Sequence, residues 1–317
     1  MKTSQFPAKK ENRFFRREYI PLHLMALPAV LYLLIFHYTP MIGVLMAFQR
    51  YNIRLGFFRS EFVGFQNFRF LFATTDAFVI TRNTVLYHFA YLIVGYLLSI
   101  TAALIISSLR TKRTAKFLQS IYIMPYFLSW TAVSIAVTGL LSTTGGGGPI
   151  SQIMALFGIE PFNNNWFMTR PFWPPFLIAM SAWKGVGYST ILYTAVISGI
   201  SPELYEAAMM EGAGKFKQAW YITIPHLRFI FTITLIMSMG TIVQGNFGLH
   251  YTVPGPTAGY LIPVVDIIDT YIYRGLRSMG NLGMSAAAGL YQSFVGMVMI
   301  LFSNWIVVKI NPESALI

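Results

Sequence analysis

The sequence predicts an all-α integral membrane protein with six transmembrane helices. Three observations lead there. Of 317 residues, 55% are hydrophobic and only 11% are charged, less than half the roughly 25% of a soluble domain. Mean hydropathy is +0.57. Six apolar stretches reach about 20 residues or more, the length that crosses roughly 30 Å of hydrocarbon. A lone strand in lipid leaves N–H and C=O groups unpaired, so each stretch is expected to be a helix.

The first expected span is Leu22–Phe48, bent at Pro40. The second is Asn83–Leu109. The third is Leu118–Leu141, with Pro125 inside it. The fourth is Pro174–Ile200, the fifth Leu227–Phe247 and the sixth Leu282–Ile310. Before them lies a basic segment, residues 1–20, with Lys2, Lys9, Lys10, Arg13, Arg16 and Arg17. The apolar run that follows is longer than the roughly 7–15 residues of a signal-peptide core, and no A-x-A site ends it, so a retained helix is expected.

The net charge of +12 does not indicate nucleic-acid binding, because the cations sit at the ends of apolar spans. That placement sets orientation at a membrane. The N-terminal segment, Arg110, Lys112, Arg113 and Lys116, then Lys215, Lys217 and Arg228, and finally Lys309 fall on one side. The other side holds Arg50, Arg54, Arg59, Arg69, Arg170, Arg274 and Arg277, half as many. Both termini are therefore expected in the cytoplasm. Cysteine is absent, which excludes disulfides and Cys-based metal sites. The five histidines are scattered without ligand spacing, and no G-x-S-x-G indicates an enzyme.

The outside loops are expected at Gln49–Asp76 and Ser142–Arg170. The glycine run at 145–148 leads into Pro149 and a short apolar surface helix over Ile150–Phe157. The stretch Tyr251–Tyr260, with Pro254, Gly255, Pro256 and Gly259, resists regular structure.

The most informative stretch is Ser201–Pro225. Ser201 suits an N-cap and Pro202 the first helical position. Glu203 and Glu206 lie near the positive helix end. Leu204, Tyr205, Ala208 and Met209 share one face. Gly212 and Gly214 allow a reversal, and a second short helix runs from Lys215 to Tyr221 before the fifth span. So short a helix is marginal in water, so its apolar face needs a covering surface. Its own membrane helices and a partner groove remain equally open at this point.

Glu206-Ala207-Ala208, three residues, Gly212, nine residues and Ile222-x-Ile224-Pro225 resemble the cytoplasmic signature of type I ABC importer permeases, with Ile224 where the family usually has Leu. Phe62-Val63-Gly64-Phe65-Gln66-Asn67-Phe68, Asn83-Thr84, Met124-Pro125, Tyr271-Ile272-Tyr273 and Ser285-Ala286-Ala287 resemble the carbohydrate-uptake class, in its complex-oligosaccharide and alginate branch. Val253-Pro254-Gly255-Pro256 departs from the Gly-Gly-Pro of many members.

The resemblance implies a permease domain over residues 21–317, with a core at about 79–310 and a coupling loop at 201–226. It also implies an inner-membrane importer of an oligosaccharide, with an acidic alginate-type fragment among the candidates. The first helix would wrap beside a second, related permease. Glu206, Ala207, Ala208, Met209, Gly212 and Pro225 would face one of two ATPase subunits, and a sugar-binding protein would dock outside. No G-x-x-x-x-G-K-[ST] loop is present. ATP and Mg are therefore expected on the partners, with no cofactor on this chain.

Polar groups in membrane spans usually face a partner or a cavity. Trp183, Lys184 and Tyr188 in the fourth span, Gln244 and Asn246 late in the fifth, and Tyr126 and Trp130 in the third are candidates for a substrate path. Tyr87, His88, Tyr91 and Tyr96 in the second span belong with them. Aromatic rings with a few polar groups suit a sugar, and Lys184 suits an acidic one. The bland readings are interfacial aromatics and a Lys184 paired with a backbone carbonyl. Gly185-Val186-Gly187-Tyr188 superficially resembles a potassium filter, but it has no separate pore helix. An ion-coupled secondary transporter of a small polar solute is the alternative. Repeated halves and a membrane carboxylate for proton relay are missing, with Asp266 and Asp269 expected outside.

Overall fold

The computed structural model describes residues 19–109, 111–142, 148–158, 166–255, 259–277 and 280–310. The basic cluster Lys2–Arg17, Arg110, most of the glycine run and Pro256 lie outside the described residues.

Helix α1 (Ile20–Phe48) has almost no buried side chain until Ala47. The expected bend at Pro40 takes the form of a change in winding. The helix widens into a π turn over Leu34–Tyr38 and tightens to 3-10 geometry over Thr39–Phe48. Proline cannot donate to the preceding turn and crowds it, and the wide turn takes up that strain. Beyond α1, β1 (Gln49–Arg50) pairs antiparallel with β2 (Glu61–Phe62) in the register Gln49↔Phe62 and Arg50↔Glu61. Helix α2 (Gln66–Ala73) carries Asn67, whose Nδ2 donates to the carbonyls of Ala47 and Gln49 at 3.0 Å each. That amide pins the end of α1.

Helix α3 (Thr75–Ser107) is 33 residues long and begins eight residues before the expected second span. The expected third span is corrected to two helices, α4 (Lys112–Phe127) and α5 (Trp130–Leu140), bent by 94°. The apolar run is continuous, but Pro125 weakens the helix. Leu128 and Ser129 are extended, and Ser129 Oγ accepts from the amide of Ala132 at 3.1 Å, starting a helix in a new direction. The short apolar helix expected after the glycine run is α6 (Pro149–Leu156).

Helix α7 (Trp173–Ser198) crosses the middle of the fold and packs mainly on α3, with α4 and the end of α9 alongside. Helix α8 (Pro202–Met210) follows, then α9 (Lys215–Gly240). The separate short helix expected at Lys215–Tyr221 is corrected: it runs unbroken into the fifth span. A π turn over Ala219–Thr223 just before Pro225 accommodates the proline. The span stops at Gly240, not Phe247. Helices α10 (Phe247–Thr252), α11 (Ile268–Arg277) and α12 (Leu282–Ile310) complete the chain.

Among the described residues, four helices are long and apolar enough to cross a membrane: α1, α3, α9 and α12. The bent pair α4–α5 makes a fifth if it is one span. Helix α7 has the length, but Lys184, Trp183, Tyr188 and several Ser and Thr dilute it. It buries Leu177, Ala182, Val186, Thr190, Tyr193 and Ile197 against protein, and a helix shielded by neighbours need not be as apolar as one facing lipid.

Candidate functional site

Helix α8 ends in a turn that explains its glycine. Gly212 has φ of +78°, where any side chain is strained. The amide of Gly212 donates to Met209 O at 3.0 Å, and that of Ala213 to Ala208 O at 2.8 Å. This is a Schellman closure, which satisfies the last carbonyls of α8. Gly214, at φ −67°, needs no such freedom. Ser201 holds the N-cap position without a side-chain cap bond, and Pro202 opens the helix.

The loop is tied to its own bundle only along one edge. Tyr205 Oη and Thr223 Oγ1 are 3.0 Å apart, and Lys215 Nζ donates to Ser108 O at 3.2 Å. The rest faces outward. Leu204, Met209, Met210, Phe216, Trp220 and Tyr221 are exposed, with Met210 at 89%. Glu206, Ala207 and Pro225 are exposed and Ala208 is half-buried. Beneath the loop is an open cleft of about 770 Å³ lined by Lys112, Lys116, Lys215, Glu206 and Met209. Cations separated by a hundred residues thus share one end of the bundle.

The path candidates divide. Lys184, Tyr126, Trp130 and Tyr188 come together where α4 breaks from α5. Lys184 Nζ donates to Tyr126 O at 2.9 Å and also to Leu128 O. It lies 5.3 Å from the Trp130 ring centroid and 5.7 Å from that of Tyr126. Tyr126 and Tyr188 stack at 5.0 Å. The break at Pro125 frees carbonyls that no amide of the interrupted helix meets, and the ammonium satisfies them. The carbonyl-pairing reading of Lys184 therefore holds. Trp183 is 44% exposed, outside this cluster. Gly187 is spoken for by packing: a Cβ there would lie 1.9 Å from Tyr122 O. The Gly-Val-Gly-Tyr carbonyls are in helix α7, so no filter forms.

Gln244 and Asn246 do not lie in a span. Both follow the end of α9, and Gln244 is exposed beside a cleft of about 450 Å³ shared with Gln292 and Ser293. Asn246 caps α10, its Oδ1 accepting from Leu249 N at 3.2 Å. Tyr87 and Tyr91 are also committed to structure. Tyr87 Oη donates to Val264 O at 2.6 Å, and Tyr91 Oη lies 2.8 Å from His250 Nε2. The other nitrogen of His250 is 2.7 Å from Val265 O. Burial pushes the His250 pKa down to about 4.

Sequence reasoning missed this polar core. Asn83 Nδ2 donates to Asp266 O at 2.9 Å, and the amide of Ile268 to Thr84 Oγ1 at 3.0 Å. Asp266 is buried within the protein. It accepts from Arg274 at 2.8 Å and from Thr270 at 2.6 Å. Burial raises its pKa, though Arg274 and Thr270 oppose the rise. The only advance signal was Asn83-Thr84, and its partners lie some 180 residues away.

Comparison with known proteins agrees with this geometry. Residues 77–312 match the model of the family described as the binding-protein-dependent transport system inner membrane component. The chain is 33% identical over 293 residues to the polygalacturonan/rhamnogalacturonan transport system permease protein YteP of Bacillus subtilis, covering 92% of this chain and 89% of that one. Protein LplB of the same organism is 34% identical over 296 residues, covering 92% and 90%. A chain in the crystal structure of a bacterial alginate ABC transporter, in complex with alginate pentasaccharide-bound periplasmic protein, superposes with TM-score 0.82 at 28% identity, covering 93% of this chain and 96% of that one. The outward-facing α8 with its glycine closure sits within the matched region, and this chain belongs to the family of binding-protein-dependent inner-membrane transport components, as a permease subunit of an ABC transporter and not an enzyme.

Proposed function

We propose that this chain is one of two related permeases lining the path of an ATP-driven importer, and that it passes an acidic oligosaccharide into the cytoplasm. Its core is about 79–310 and its coupling loop 201–226, while residues 1–20 form a basic cytoplasmic segment. Both termini face the cytoplasm. Two ATPase subunits carry ATP and Mg, and no cofactor sits on this chain. A sugar-binding protein delivers substrate to the outside loops.

The observation that carries this reading is α8. Its end of the bundle exposes six large apolar side chains among lysines, and a contiguous apolar patch rimmed by charge marks a partner surface. Lys112, Lys116 and Lys215 around one cleft support a cytoplasmic placement by the positive-inside rule. The exposed length of α1 supports its lying against lipid and a second permease. The acidic substrate draws on the polygalacturonan of YteP and on a transporter structure described as importing the acidic polysaccharide alginate.

The absence of cysteine makes the test direct. Met209→Cys should crosslink to a single cysteine on the ATPase, and proteoliposomes should take up oligogalacturonate only with ATP inside the coupling face. Uptake driven by an ion gradient without ATP would instead establish the secondary-transporter alternative. A Met209→Cys thiol reached only from the outer face would overturn the orientation.

A further inference from the structure

Helix α10 separates two aromatic-cationic clusters, of which sequence reasoning found only one. Towards α5 it meets Trp130: Thr252 Oγ1 donates to Trp130 O at 3.3 Å, and Gly248 leaves room for the indole. Trp130 in turn lies under Lys184. On another face of α10, Phe247 and Tyr251 are one helical turn apart and stack at 5.0 Å with 11° between planes. Tyr273 of α11 closes against both, at 5.1 Å from Phe247 and 4.8 Å from Tyr251, with planes inclined by 59° and 70°. Arg277 Nη1 donates to Tyr273 Oη at 2.9 Å. All three rings keep part of their surface open, and Arg277 is exposed.

The two arginines of α11 differ in one respect that matters. Arg274 is neutralised by buried Asp266 at 2.8 Å. Arg277 has no carboxylate within ion-pair distance among the described residues, and its one side-chain bond goes to a phenol. Packing does not explain an unneutralised guanidinium held on the hydroxyl of one ring in an aromatic trio. A planar fork of donors recognises a carboxylate in a bidentate manner, and open aromatic faces receive the C–H faces of a pyranose. Interfacial tyrosines anchoring in lipid headgroups do not require an arginine clamped onto one of them.

We propose that Phe247, Tyr251, Tyr273 and Arg277 form a uronate subsite, in which the rings receive one pyranose face and Arg277 takes its carboxylate. This rests on the acidic-oligosaccharide reading above and deepens it. The subsite and the Lys184 cluster lie on adjacent faces of α10, since Phe247 and Tyr251 are each one residue before Gly248 and Thr252, which meet Trp130.

The test is transport by the complete reconstituted complex. Two probes are used: an oligogalacturonate and the same oligosaccharide with its carboxylates methyl-esterified. In Arg277→Gln, KM for the acid should rise about tenfold, the scale of one lost charge-assisted interaction. Uptake of the ester should stay within about twofold, which also shows that the variant is folded. Tyr273→Phe, which removes the hydroxyl holding Arg277, should give a smaller rise for the acid alone. Equal loss for both probes, or no change for either, would overturn the subsite. A wild-type complex that takes up the ester but not the acid would refute the acidic substrate class itself and the subsite with it.

Discussion

Gly187→Ala should destabilise the protein, while Gly185→Ala, two residues away on the same helix, should not. A Cβ at Gly187 would lie 1.9 Å from the carbonyl oxygen of Tyr122, 2.4 Å from its carbon and 2.8 Å from Ile123 Cα. All three are backbone atoms, so no side chain can swing away. Restoring an ordinary contact of 3.4 Å needs about 1.5 Å of separation between α7 and α4, and a close-packed interior resists that. Overpacking costs roughly 1–3 kcal/mol, and immovable backbone places this site at the upper end. Replacing Gly by Ala in a helix returns about 1 kcal/mol. The net loss is about 2 kcal/mol, a shift in Tm of roughly 4 °C or more downward. A Cβ at Gly185 meets nothing within 4 Å, so that variant keeps the propensity gain and should unfold at or slightly above the wild-type temperature. The assay is thermal unfolding of both variants in one detergent. If Gly187→Ala unfolds no lower than Gly185→Ala, the close approach of α7 to α4 is wrong, and with it the placing of Lys184 over the broken helix.

Three further predictions follow from the same structure. Arg274→Gln strands the buried Asp266 carboxylate and should cost about 3–5 kcal/mol in a denaturation series; adding Asp266→Asn should recover most of it, and no recovery would show that the pair is not the cause. Gly212→Ala imposes a left-handed residue at roughly 1–2 kcal/mol of local strain and should lower sugar moved per ATP severalfold along with a Tm fall of roughly 2–4 °C, while Gly214→Ala should behave as wild type. His250, at about 4 when folded and near 6.5 when unfolded, should make stability fall as pH drops from 6.5 to 4. The total is about 3 kcal/mol, flat below that range, because only the unfolded chain takes up the proton there. The raised Asp266 works in the opposite sense over the acidic part of the same window, so the difference between wild type and His250→Gln isolates the histidine; an unchanged profile in that variant would contradict its buried, neutral state.

Much of the fold was legible because bilayer thickness fixes helix length, and hydropathy is a property of consecutive residues. The positions of α1, α3, α9 and α12 follow from that. The loop Ser201–Pro225 was legible for the same reason: its cap position, its glycine and its apolar face are local. Where the reading failed, a change of chain direction or a distant contact decided the outcome. Hydropathy cannot register the 94° break between α4 and α5, since an extended pair of residues in protein is as apolar as a helical pair in lipid. Asn246 reads as a polar group in a span until the end of α9 at Gly240 makes it the cap of the next helix.

The sequence by itself determined that this protein lives in a membrane, where its long apolar helices lie, and which loop carries the cap position, glycine and apolar face of a short helix. Those properties are written in composition and spacing. Only the tertiary structure decided which polar side chains are neutralised within the protein and which stay exposed. Lys184 is held by the carbonyls of a broken helix, Asp266 by Arg274 and Tyr91 by His250, whereas Arg277 faces outward. Tyr91 and His250 are 159 residues apart and Lys184 and Tyr126 are 58 apart, and no local pattern encodes such separations.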